Sequence, residues 1–215
     1  PNELMDKFSA DALRYLLVSS TLLNGEDYSL FDENVQDVHR KLAMVWNMYD
    51  FFTMYAEVDG WEFTGDTSDP TDQVSSDLDR WVISRVHQLA QEVEKHMDAY
   101  DIPNATKPII PFIDDASNWY VRRSRKRFWK SEDDADKESA YKTLHYVLLQ
   151  LSHILAPFAP FMADELYMKL TGEESVHLND WPAVGHVNEL LVDEMKHARE
   201  VVNQGLSIRA QNQVK

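Results

Sequence analysis

No cysteine occurs in this chain, which removes disulfides and thiolate metal centres and gives no sign of an oxidising compartment. Glycine is nearly as scarce, six in 215 residues, and no glycine-rich phosphate loop can be assembled from it. No apolar run approaches the roughly 20 residues that span a bilayer, and residues 1–20 lack the charged start and small-residue cleavage pattern of a signal peptide. A soluble, untargeted, cytoplasmic chain without membrane contact is expected. Positive charge is the last shortage: 21 Lys and Arg stand against 37 Asp and Glu, a net charge of −16, and a field of that sign repels a polyanion. Yet residues 122–130, RRSRKRFWK, hold six positive charges and no negative one, so the other 206 residues carry −22. One basic spot in an acidic body favours a partner docked at a single place over indiscriminate binding.

What the chain has in quantity is helical periodicity. Strand-like alternation is absent, and apolar residues recur at steps of three and four, so the fold class is all-α, an antiparallel bundle of four to five main helices. From Asp32 to Glu57 one stripe runs Val35, Val38, Leu42, Val45, Tyr49, Phe52, Ala56 and a second Met44, Met48, Phe51, Tyr55. That leaves Gln36, Arg40, Ala43, Asn47 and Asp50 facing outward. Residues 59–76 gather turn formers and acids and form a loop. A second helix begins near Asp77 with the stripe Val82, Val86, Leu89, Val93, Met97, Tyr100, and Leu78 and Trp81 pack near its start. A third segment, about 102–130, is kinked or restarted by Pro108 and Pro111, each lacking an amide donor. Residues 131–138, SEDDADKE, form a solvated turn before a helix whose core face is Leu144, Leu148, Leu151, Leu155 and Phe158. Pro157 and Pro160 break it, a short helix covers about 162–170, and Leu191, Met195, Ala198 and Val202 mark a last helix.

Projected at 100° per residue, segment 113–130 splits into two faces. Ile113, Ser117, Tyr120, Ser124 and Phe128, with Val121 beside them, suit packing; Trp119, Arg122, Arg123, Lys126, Arg127 and Lys130 lie opposite, with Trp129 on the flank and assigned to the core. A base stacks on an indole while cations take the phosphates, so this face can serve as a single-strand platform. The alternative is that Trp119 packs under a neighbouring helix while the cations pair with the acidic body. Asn47 and Arg40 share the outward stripe of the first long helix and can reach base edges or phosphates. Two other classes stay open on the residues alone: a helical module docking an acidic protein groove, and a metallo-bundle using Glu194-x-x-His197. The latter motif occurs once where a di-iron bundle needs two. His87, His96, His145 and His153 stand singly, with no nucleophile beside them, so neither a catalytic residue nor a metal ligand is assigned.

Asn118-Trp119-Tyr120-Val121-Arg122-Arg123-Ser124-Arg125, preceded by Phe112-Ile113-Asp114-Asp115 and followed by Arg127-Phe128-Trp129, resembles the signature of the isoleucyl-tRNA synthetase anticodon-binding domain. In the same order lie Ala10-Asp11-Ala12-Leu13-Arg14, Leu78-Asp79-Arg80-Trp81, the run 155–161 (LAPFAPF) and 175–182 (SVHLNDWP), so the resemblance covers nearly the whole chain. Relatives for valine carry an acid where this chain has Arg122, which favours isoleucine. The resemblance implies that residues 1–25 connect from a catalytic core, 26–186 form the bundle, and 187–215 form the last helix and the start of a further C-terminal module. It implies as partners an isoleucine tRNA, through its anticodon stem-loop, and the other domains of the same polypeptide, with ATP and magnesium serving the parent enzyme and no cofactor this part. Carried over by position, Trp119 lies against an anticodon base, Asn47 near a position used for anticodon contact, and Arg122, Arg123 and Lys126 on phosphate or base edges. Ser9 departs from the family's usual glycine, Asp50 from an arginine of the valine relatives, and Pro108 and Pro111 from a continuous helix.

Overall fold

The computed structural model describes residues 2–74, 76–130 and 133–213, with the side chain of Lys130 outside the described set. Helices dominate, and no strand occurs among the described residues. A hairpin of α1 (Asn2–Lys7) and α2 (Ala10–Val18) leads in. It packs through Phe8, Ala12, Leu13 and Leu16 against Val35 at the start of α3 (Asp32–Asp59). The expected stripes of α3 face inward: Val35, Leu42, Val45, Met48, Phe52 and Ala56 are buried, while Arg40, Asn47 and Asp50 are exposed. Gly60 closes this helix at φ 67°, a left-handed value that glycine adopts without a Cβ penalty.

Ser76 caps α4 (Asp77–Asp98), its hydroxyl accepting from the Leu78 amide. The predicted stripe is buried as far as Val93, but Tyr100 lies past the helix end at φ 57° and is 92% exposed. The chain turns after Asp98, so period-matching one turn further places Tyr100 wrongly. Pro108 does restart the chain: α5 (Ile102–Thr106) ends before it and α6 (Ile109–Asp114) begins after it. Residues Asp115–Val121 then continue as a π-helix and hand over to α7 (Arg122–Lys130).

Helix α8 (Asp134–Leu155) is the central post, buried on most of its circumference, with Leu144, Leu148, Leu151 and Leu155 at 0% exposure. Residues 134–138 form its first turns, where a solvated turn was expected. Asp133 accepts from the amides of Ala135 and Asp136 and so lets acids open the helix, where they also suit its positive end. Ser131 and Glu132 of that expected turn lie outside the described residues. After α9 (Pro160–Thr171) an irregular strap with one short turn at Val176–Leu178 crosses back over the bundle. Gly185 in this strap lies so close to Asp69 and the His87 ring that an added Cβ would collide with both. Helix α10 (Glu189–Gln211) then leans on α4 through Leu191, Val192 and Met195; Ala198 and Val202, expected on its inner stripe, are exposed, and Arg199 takes the inward place on Asp115. No helix among the described residues is long and apolar enough to cross a membrane.

Candidate nucleic-acid interface

The packing face of the 113–130 segment is largely as expected: Ile113, Tyr120, Ser124 and Phe128 are buried, Ser117 is half-buried at the edge of the α3–α7 cleft, and Phe128 meets Phe51 and Tyr141 edge-on at 5.1 and 4.9 Å. The outward face differs from the projection. Arg127 turns in, its fork bidentate on Asp79 at 2.6 and 2.7 Å and its Nε on Asp136 at 2.9 Å. Asp79 is fully buried and also accepts from Tyr120 Oη at 2.8 Å. Burial opposes the charge of Arg127, but the bonds to Asp79 and Asp136 outweigh it and raise its pKa. Arg127 is therefore a structural cation. A buried carboxylate without it would be left uncompensated, and the expectation of an RNA contact there is corrected. Trp129, assigned to the core, is 64% exposed. The side chain of Lys130 lies outside the described residues.

Trp119 is half-buried and not an open platform. Its indole N–H points at Met195 Sδ of α10 at 3.2 Å, and the Arg123 guanidinium lies over its ring, 3.0 Å from the centroid, with that of Arg199 5.1 Å away. The π turn explains the shift. An i→i+5 turn advances less per residue than the 100° of an α-helix, so residues 115–121 fall out of phase with α7 and Trp119 rotates toward α10. Burial first, then the like charges of Arg122 and Arg199, lower the pKa of Arg123. Positive charge is crowded around this tryptophan.

Arg122, Arg125 and Lys126 are exposed and make no salt bridge among the described residues. Two of them open onto a cleft of about 350 Å³ between α3 and α7, lined by Asn47, Phe51, Asn118, Arg122 and Arg125. The sequence pattern thus pointed to two of its residues, Asn47 and Arg122, and missed two, Asn118 and Arg125. The missed signal was present as spacing: 118, 122 and 125 follow i, i+4, i+7 and form one stripe beside the Trp119 face. Arg40 lies two turns before Asn47 on α3, exposed and paired at 3.4 Å with Asp37, a surface contact of little strength. Aromatic surface, side-chain amides and unpaired guanidiniums in one cleft can hold a splayed base and its phosphates.

The sequence matches the family described as the anticodon-binding domain of tRNA ligase over residues 79–215. Over its whole length it is 38% identical to the isoleucine–tRNA ligases of Chlamydia trachomatis serovar D and Chlamydia muridarum, and 35% identical to that of Chlamydia caviae. The chain spans about a fifth (21%) of each of these relatives. Among solved structures it is similar to the LeuRS of Agrobacterium radiobacter K84 in a ternary complex with tRNA and LeuAMS, with a TM-score of 0.62, 19% identity, and coverage of 89% of this chain and 21% of that one. At that identity the likeness speaks for the fold alone.

Proposed function

The chain belongs to the family of anticodon-binding domains of tRNA ligases, and on that premise we propose that it grips the anticodon stem-loop of an isoleucine tRNA for a parent isoleucine–tRNA ligase. The observation that carries the reading is the cleft that brings Asn47 of α3 together with Arg122 and Arg125 of α7. Arg122 and Arg125 take phosphates or fork onto a guanine edge, and Lys126 and Arg40 add peripheral charge. Asn47 and Asn118 offer amides to a base edge, and Phe51 offers a ring. Trp119 serves through Arg123, whose guanidinium over the indole gives a base a plane to stack on. Isoleucine as the amino acid is supported by the names of the relatives and by Arg122.

ATP and magnesium belong to the parent's activation of its amino acid in the cytoplasm. The residues of this chain do not fit them. It has no glycine-rich phosphate loop, and among the described residues no three His, Asp or Glu side chains are grouped to hold a metal.

The test is a titration of the chain with isoleucine anticodon stem-loop RNA and with a loop-scrambled hairpin of equal length, at two salt concentrations. The parent chain should prefer the native loop. Arg122→Ala with Arg125→Ala should remove that preference and reduce the slope of log affinity against log salt by roughly 0.7 to 0.9 for each phosphate no longer neutralised. Equal binding of both hairpins by the parent chain, or a double variant indistinguishable from it, would sink the reading.

A further inference from the structure

We infer that the cavity between α4 and α10 is a second seat for an RNA phosphate, which carries the tRNA surface from α7 onto α10. The inference rests on the tRNA reading above. The cavity is about 450 Å³, and Arg85, Gln88, Lys196, Arg199 and Asn203 line it over the buried Trp81 ring. Asp115 sits in its wall with both oxygens spent, one on Arg199 Nη1 and the other on Arg85 at 3.0 and 3.2 Å. With Glu200 also in the lining, three cations (Arg85, Lys196 and Arg199) face two acids, which leaves an excess of one positive charge at the cavity. Lys196 makes no salt bridge among the described residues and stands exposed at the rim, one turn from Glu200. In a chain of net charge −16 such a place stands out electrostatically, and the amides of Gln88 and Asn203 add neutral donors.

The cavity adjoins the α7 face through Arg199. Arg199 of its lining reaches to 5.1 Å from the Trp119 ring that carries Arg123, and Trp119 adjoins Asn118 of the α3–α7 cleft. A strip richer in cations than acids therefore runs from Arg125 and Arg122 past Arg123 to Arg199 and Lys196, with Asp115 and Glu200 the acids at its α10 end. A hairpin seated by its loop in the cleft can lay flanking backbone along that strip, and such a contact reads charge and not sequence.

The experiment uses Lys196→Ala and Glu200→Gln, neither of which touches the Asp115 clamp, with the native and loop-scrambled hairpins titrated across salt and the fold checked by circular dichroism. Lys196→Ala should weaken both hairpins by the same factor and lower the salt slope by about 0.7 to 0.9. Glu200→Gln should tighten both at low salt, and the gain should vanish at high salt. If both variants match the parent chain at every salt while Arg122→Ala with Arg125→Ala loses the native loop, the α10 seat is overturned and the anticodon reading stands. If the parent chain binds neither hairpin, both fall.

Discussion

At the scale of single residues, Ser9 carries the plainest strain. Its backbone lies at φ 139° and ψ 155°, a region nearly reserved for glycine. Its hydroxyl compensates by accepting from the Ala12 amide at 3.1 Å, capping α2. Occupying that region costs on the order of 1–3 kcal/mol, whereas glycine at an N-cap gives up only a few tenths relative to serine. Ser9→Gly is therefore expected to stabilise by about 1 kcal/mol, raising the thermal midpoint by roughly 2–4 °C for a domain of this size. A calorimetric scan checks this, and an unchanged or lowered midpoint contradicts it. The same scale exposes a limit of reading by pattern. Arg127 and Arg123 looked alike on a projected helix, yet one is clamped by Asp79 and the other lies over Trp119.

At the scale of elements, α10 is lightly held. It has no buried residue, and its grip is Met195 on Trp119, the partly buried Leu191 and Val192, and Arg199 on Asp115. Asp115→Asn removes the charge that Arg85 and Arg199 share. Hydrogen bonds to charged groups contribute about 1.5–3 kcal/mol each, so hydrogen exchange of the amides in 189–199 should quicken by about tenfold or more. Exchange in α8 should stay unchanged, and equal acceleration in both helices would contradict a local role for the clamp. The periodicity of α10 was legible, but its inner face was not: the side turned to α4 runs through Val192, Met195 and Arg199, and residues 198 and 202 are exposed beside it. The π turn at 115–121 was likewise hidden, since a uniform 100° step cannot register an extra residue in one turn.

At the scale of the whole molecule, the core sets a pH dependence through His145. The ring is buried against Phe63, 4.2 Å away and stacked, and within hydrogen-bonding distance (3.1 Å) of the Leu170 carbonyl. Burial lowers its pKa, and the Leu170 carbonyl opposes this only in part. The unfolded chain therefore binds a proton near pH 6.5 that the folded chain refuses. Stability from this group is full above that pH and falls as the pH drops below it. Thermal midpoints measured from pH 7.5 to 5 should decline, and His145→Gln should flatten the decline; an unaltered slope in the variant would rule His145 out as its source. The sequence by itself determined the helices, the stripes that face the core, the restart at Pro108 and the basic segment, because a 3.6-residue period and a missing amide are local properties. Tertiary structure alone decided which cations remain outside and what they meet. Asp79 reaches Arg127 across 48 positions of chain, Asn47 faces Arg122 from another helix, and α10 covers Trp119, and such pairings follow from how helices stack and not from spacing along any one of them.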